Sequence, residues 1–525
     1  MQLINKNYTN IDTKLFFLIF LILFTIYTFT SDGHRATNDE EYAQQQTLRL
    51  VLLEPDPEFI PGESGTLFKY PQFWYPYGQG DPCQNALICY GAHVAHSITE
   101  YPFVFINHHL NIINKDTHVF SSYDFTDQHY LFWRNSIDPD FTFMELFFGP
   151  FYSALSIGLF FLICRTFNYS IKISLGLSFL LGLSTSLFAY SGTSFNQVPA
   201  LSFILLGFLL FRKYQICFQI RFILLAFSSL VFGFMIREDA ILFIIPLFFF
   251  SIILSLTKKN KIKNIMLFTL PLVLGYTVYR IFDLIRYGIS QENKIISDVS
   301  VIVTLGQGNP TFSYIEHMFG LLLSPGVGLF IYVPILLTLF FSLPDFFKAN
   351  KAISVLILSF SCLFVIHFAS FNFWHGLTAW PPKYMYELIP FLLLPLGVSI
   401  QKRKLKLVSI IIGLGVLGFF FNLADILQDV NWFVWGTSGG QTGLFGLAYG
   451  KSYPLYINDI IIWTFHYSPL IISINTMFSG LQLDVYLIKV LGGIPYFVIF
   501  SSLIIFEFYI LIQIIKPKKP SKIQI

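Results

Sequence analysis

Apolar runs of membrane-spanning length recur along the whole chain, broken by short polar pieces at some points and by long aromatic ones at others. A helix needs about 20 apolar residues to cross ~30 Å of hydrocarbon. Twelve runs near that length lie at 14–31, 144–164, 173–191, 198–211, 222–237, 239–256, 265–283, 326–343, 353–370, 387–400, 407–424 and 493–515. The pattern predicts an all-α polytopic membrane protein of about twelve transmembrane helices, a single membrane domain over 1–525. Its first helix (14–31) opens a large first outer loop (32–143), followed by helices two to seven (144–283) and a second outer loop (284–325). Helices eight to eleven (326–424), with a short outer piece at 371–386, lead to an outer loop (425–492), the last helix (493–515) and a basic tail (516–525).

Composition agrees with the pattern. Only 12% of residues are charged while 54% are hydrophobic and 62 are Phe, whereas a soluble domain carries about one quarter charged residues. A net charge of +3 without a basic, aromatic-interleaved patch excludes nucleic acid as the partner. The distribution of charge says more than its sum. With the N-terminus inside, the short connections hold Lys6, Lys14, Arg165, Lys172, Arg212, Lys213, Arg221, "TKKNKIK" (257–263), Lys348, Lys351, "QKRKLK" (401–406) and "KPKKPSK" (516–522). These are 21 of the 33 Lys and Arg, against two of the 30 acids, Asp12 and Asp345. An excess of Lys and Arg in short cytoplasmic loops sets orientation, so both termini are predicted to be cytoplasmic. The first apolar run lacks a small-x-small cleavage site and reads as an uncleaved helix.

The outer pieces are too long for plain connections. "FKYPQFWYPYGQG" (68–80), "HYLFWRN" (129–135) and "DVNWFVWGTSGGQTGLFG" (429–446) are rich in aromatic residues that favour the lipid–water boundary, predicting a cap of interfacial helices and loops. Cys83 and Cys89, five residues intervening, are spaced to close a small disulfide if the compartment oxidises. The histidines 93, 96, 108, 109, 118 and 129 fit no zinc spacing and read as loop residues.

Three charged clusters carry candidate chemistry. "SDGHRATNDEEYAQQQTLRL" (31–50) follows the first helix, with Asp39, Glu40 and Glu41 in the first turn of a short surface helix, beside His34 and Arg35. Acids there either cap the helix or serve as a catalytic base. "GFMIREDAILF" (233–243) places Arg237, Glu238 and Asp239 in a tight turn, where Arg237 either pairs with its neighbour or holds a phosphate. "FNFWHGLTAWPPKYMYELIPFLLLPLG" (371–397) carries Trp374, His375, Trp380, Lys383 and Tyr384. It reads as an aromatic belt with a snorkelling lysine or as a sugar-stacking and phosphate-holding segment.

"NDEEYAQQQ" resembles the acidic first-loop motif of GT-C glycosyltransferases. "GLLLSPGVGLFIYVPILL" (320–337) and "WHGLTAWPPKYMYELIPFLLLPLG" (374–397) resemble the SPGxGLFxYxPxLL and WGGWxWGPRYLLPLLPFLxLPL segments of its GT39-like branch, with Lys383 where that branch has Arg; "HYSPL" (466–470) is a weaker fourth match. The resemblance implies a membrane enzyme that moves a sugar from a polyprenyl- or dolichyl-phosphate donor to a hydroxyl of a protein, glycan or lipid acceptor, outside the cytoplasm and with inversion. It implies Asp39 or Glu40 as the base, with Arg237, Lys383, Arg35 and Arg134 toward the donor phosphate and Trp374, His375, Trp380 and Tyr384 toward sugar or acceptor. The acidic motif is one residue shorter than the family's D-E-x-x-Y-A. "SGTSFNQVPAL" (191–201) carries amides where several relatives have acids or His, so no metal site is predicted, although a divalent ion through Asp39 stays open. Two other classes remain as alternatives: a non-catalytic membrane scaffold of the same fold, and a lipid or solute transporter. The second lacks the two similar halves that transporters show.

Overall fold

The computed structural model describes residues 10–34, 43–44, 47, 50–51, 80–82, 88–90, 94–114, 139–256, 261–287, 311–371, 374–376, 379–402, 405–427, 461–480 and 483–516. The protein is an integral multi-pass bundle of α-helices. Among the described residues nine helices are long and apolar enough to cross a membrane, or ten if a pair bent by 59° counts as one span.

The first half of the bundle is built from α1 (Asn10–Thr30), α2 (Val94–Leu110) and α3 (Pro139–Thr166), then α4 (Ile171–Leu183) and α5 (Ser186–Ala189). It continues with α6 (Gln197–Cys217), α7 (Ile220–Ile236), α8 (Ile241–Leu256) and α9 (Lys261–Tyr287). The second half holds α10 (Thr311–Leu323), α11 (Leu329–Tyr332), α12 (Leu339–Ala349), α13 (Lys351–Ala369), α14 (Ile389–Leu393) and α15 (Leu396–Gln401). It ends with α16 (Leu405–Ile426), α17 (Pro469–Gly480), α18 (Tyr486–Leu491) and α19 (Gly493–Ile515). A small antiparallel strand pair, Gly80–Pro82 with Ile88–Tyr90, sets Asp81 opposite Cys89. Cys83 lies outside the described residues, and with it the predicted disulfide.

Direction is fixed by the ends. Arg165 at the close of α3 meets Asp12 at the start of α1 at 2.9 Å, while Ser31 after α1 donates to the Glu145 carbonyl near the start of α3. The two helices are therefore antiparallel. Hydroxyl groups stitch the apolar interior in the manner expected where water is scarce. Tyr27 donates to the Gly182 carbonyl of α4, Ser156 bonds Ser202 between α3 and α6, and Thr25 of α1 donates to Glu507 of α19. Around this core α9 and α19 expose Met266, Val273, Ile494, Val498 and Ile505, the apolar face that a bilayer covers.

Three predicted spans differ from expectation. The run at 222–237 forms α7, 17 residues long. The run at 326–343 is not one helix: α11 stops at Val333, a 3-10 stretch covers Pro334–Thr338, and α12 starts afresh. Pro334 has no N–H to continue the ladder, and Gly326 lies so close to Ile461 that a Cβ would sit 2.4 Å from its carbonyl oxygen. The span at 173–191 bends at Ser184–Thr185, where the Thr185 hydroxyl caps Leu187 and restarts the helix.

Candidate functional site

One turn organises the polar end of the bundle. Residues 193–196 join the bent pair to α6, and three consecutive side chains reach three different partners. Ser194 donates to Glu145 Oε1 at 2.8 Å, Phe195 offers its ring to the Lys383 ammonium at 4.7 Å, and Asn196 accepts from Arg237 at 3.0 Å. Asn196 is the N-cap of α6 yet makes no capping bond with its side chain; its carboxamide is turned to the guanidinium instead. The turn can dock here because Gly149 of α3 has no side chain. A Cβ there would come within 2.4 Å of the Thr193 carbonyl oxygen and 2.5 Å of that of Ser191.

On one side of the turn stand buried carboxylates. Glu145 is fully buried, and Gln44 also donates to its Oε1. His96 sits 3.0 Å from the Ser194 carbonyl and 3.3 Å from Glu100 one helical turn on, and Thr47 donates to Glu100 at 2.7 Å. His96 thus lies on α2 with an i,i+4 partner; the prediction of a loop histidine is corrected here, as it is for His108, which meets Asp140 at 3.0 Å, and for His109 on the same helix, while His93, His118 and His129 lie outside the described residues. Ala43, Gln44, Thr47, Leu50 and Val51 are helical. Ala43, Thr47 and Val51 are buried and Leu50 is exposed, the spacing of one helix face.

The other side is a buried charge network. Arg237 pairs with Asp239 at 2.5 Å and with Glu387 at 3.0 Å, and Asp239 lies 3.4 Å from His367. The local pairing weighed from sequence is present, and a second acid 150 residues further on joins it. Glu387 belongs to the 3-10 helix Lys383–Leu388, which also presents Lys383, itself only 7% exposed. Arg237, Lys383, Asp239 and Glu387 bring two positive and two negative formal charges to one region. Glu387 Oε2 and both polar atoms of the fully buried Gln197 find no hydrogen-bond partner among the described residues. Burying such groups costs about 1–3 kcal/mol each, a cost that proteins tend to carry where a site works.

The aromatic candidates are packed rather than presented. Trp374 stacks on His317 at 4.7 Å between ring centroids, and Tyr384 stacks on Phe368 at 4.6 Å. Trp380 donates to Asn422 and meets Tyr332 edge-on, and its carbonyl accepts from Tyr190 just before the cis Pro381–Pro382 bond. His375 is buried, and burial together with nearby His317 pushes its pKa down to about 4, so the ring is neutral at pH 7. Three of the segments quoted above for their resemblance, 320–337, 374–397 and 466–470, also meet one another. Tyr332 touches Trp380 and accepts the Leu470 N–H, while the Gly326 N–H donates to Ile462.

Asp39, Glu40, Arg35 and Arg134 lie outside the described residues. The chain on either side of the acids is anchored: His34, five residues before Asp39, pairs with Asp484, and Gln44, five after, holds Glu145. Sequence reasoning passed over Glu145 and Glu387. Both had a signal, a single carboxylate opening a long apolar run ("MELFFGPF", "YELIPFLLLPLG"), since an ionisable group at membrane depth is by default a candidate for a functional site. Neither a family model nor a characterised protein matches the chain.

Proposed function

We propose that this chain is a GT-C-like membrane glycosyltransferase that moves a sugar from a polyprenyl-phosphate donor to an acceptor hydroxyl on the non-cytoplasmic face. The reading places both termini in the cytoplasm and the 193–196 turn at the outer end. One observation carries it: that turn gathers Lys383, Arg237 and Glu145 at the end of the bundle where α1 leaves for the segment holding Asp39.

In this reading Asp39, or Glu40 beside it, takes the proton of the acceptor hydroxyl as the oxygen attacks the anomeric carbon. Base catalysis of this kind contributes about 10²–10⁴-fold. The bond to the carrier phosphate breaks on the opposite face, giving inversion, and the departing phosphate gathers negative charge. A fixed cation in a dry setting stabilises that charge. Lys383, buried against the Phe195 ring, is assigned this role, and Arg237 faces two carboxylates. Arg237 then positions the 3-10 helix that carries Lys383, through Glu387.

The double pairing of Arg237 also favours a second reading, a scaffold of the same fold whose charges only hold its helices together. Transfer assays with a panel of polyprenyl-phosphate sugars separate the two. Under the enzyme reading Asp39→Asn and Lys383→Met each lose at least about 10²-fold in turnover while keeping the wild-type melting profile. Equal transfer by Asp39→Asn, Glu40→Gln and wild type removes the assignment.

A further inference from the structure

A second polar cluster, outside the charge network just described, lies where the chain leaves α1. His34 Nε2 is 2.9 Å from Asp484 Oδ2 and 3.4 Å from Asp32 Oδ2, and the three ligand atoms all lie within 4.8 Å of one another. His34 is only 3% exposed, and Asp484 is buried beside it.

The use of the oxygens is uneven in an informative way. The outer oxygen of each carboxylate is engaged: Asp32 Oδ1 accepts the His34 backbone N–H at 3.3 Å, and Asp484 Oδ1 meets Lys489 at 2.5 Å. Both Oδ2 atoms turn to the same ring nitrogen. Metal–ligand bonds of about 2.1 Å set neighbouring ligand atoms about 3.0 Å apart in an octahedron and about 3.4 Å apart in a tetrahedron. The separations of 2.9 and 3.4 Å fall in that range, and the third pair of ligand atoms lies within 4.8 Å.

The backbone holds the arrangement from three sides. The Tyr486 N–H donates to the Ser31 carbonyl at 3.0 Å, and the Asp484 N–H donates to that of Leu427 at 2.9 Å. Gly33, at φ +73°, makes the turn that lets Asp32 and His34 face one way, with the Tyr486 ring so near that a Cβ would stand 3.0 Å from it. The hydrogen-bonded far oxygens are what a metal's ligands need to be held in place.

We infer that Asp32, His34 and Asp484 form a site for a divalent transition ion, Zn²⁺ or Mn²⁺, that fastens the start of the first outer loop to α18. One imidazole and two carboxylates suit those ions better than Ca²⁺ or Mg²⁺, which take oxygen alone. No spacing rule could have found it, since His34 and Asp484 are 450 residues apart. The inference is independent of the transferase proposal, and its test needs no sugar donor.

The full-length protein, purified in detergent and stripped with EDTA, is offered Zn²⁺, Mn²⁺ or Ca²⁺ singly, desalted, and assayed for bound metal and for melting temperature. Retention of about one equivalent of Zn²⁺ or Mn²⁺ with a raised melting temperature is expected, and Ca²⁺ leaves both readings at the stripped level. His34→Gln and Asp484→Asn each weaken binding at least about tenfold, and His108→Ala, at the separate Asp140 pair, leaves it intact. Co²⁺ substituted into wild-type protein gives visible d–d bands, a readout that survives if a variant fails to fold. Wild-type protein that retains no Zn²⁺ or Mn²⁺ and gives no Co²⁺ bands overturns the site. So does undiminished binding by a folded His34→Gln or Asp484→Asn.

Discussion

The two ends of the bundle use the same residue types in opposite ways. At one end Arg165 meets Asp12 with side-chain exposures of 23% and 7%, and Lys402 meets Asp345 with 49% and 17%. At the other, Arg237 meets Asp239 and Glu387 with side-chain exposures of 12%, 15% and 2%. The first arrangement is what any membrane protein needs to orient itself. The second takes charges away from water, where desolvation can exceed the attraction between them. Stability alone does not ask for that, so the difference marks the end at which chemistry is expected.

Breaking the comparison starts with Arg237. Removing one partner of a buried ion pair costs about 3–5 kcal/mol, because it strands the other partner in a dry setting. Arg237→Ala strands two carboxylates, and a drop at the top of that range is expected in equilibrium unfolding of the detergent-solubilised protein. A loss no larger than that of Lys402→Ala would mean that the two ends do not differ in the way argued.

The next effect is a pH dependence confined to the same end. The His375 ring titrates near 4 in the fold, against its ordinary 6.5. Between those values the unfolded chain takes up a proton that the fold refuses. The His375 contribution to stability therefore falls as pH drops from 6.5 toward 4 and levels off below, by up to about 3 kcal/mol. Melting curves of wild type and His375→Gln across pH 4–7 check this, and the variant should lose the His375 contribution to the slope.

Helix placement was largely legible in the sequence because lipid imposes one rule on every span, a run of apolar residues. Where the rule met local chemistry it gave way, as at Pro334 and at the Thr185 cap. The candidate site was legible only in part. Arg237 and Lys383 stand out as charges beside apolar runs, yet nothing in their spacing announces that Phe195 and Asn196 join them. Glu145 escaped notice because a lone acid at a helix start has an ordinary explanation as a cap. Its bonds to Gln44 and Ser194, 101 residues before and 49 after, belong to packing rather than to pattern.

Gly149 sharpens the comparison from the backbone side. An alanine there gains about 1 kcal/mol of helix propensity but sets a methyl group against two carbonyl oxygens that cannot rotate away. Overpacking of this kind costs about 1–3 kcal/mol, so a net loss of roughly 1 kcal/mol is expected from these two effects. The turn it displaces carries Ser194, Phe195 and Asn196, so under the proposed transferase reading sugar transfer should fall further than stability does. Parallel measurement of melting temperature and turnover tells whether the turn serves the site or only the fold.

The smallest effect tests the opposite end. Lys402 and Asp345 are 2.9 Å apart, but water reaches the lysine, and exposed pairs of this sort are worth about 0.2–1 kcal/mol. Lys402→Ala should sit at the low edge of that range at physiological salt. Its cost should shrink further as ionic strength rises, since screening acts within about 10 Å at 0.1 M salt. Arg237→Ala, with its partners buried, should show no comparable salt dependence. Two unfolding series, one variant at each end and both run from low to high salt, therefore separate a charge placed for orientation from one placed for a site. A salt dependence equal at the two ends would show that water reaches Arg237 as freely as it reaches Lys402, and the argument for a dry, preorganised outer site would fail with it.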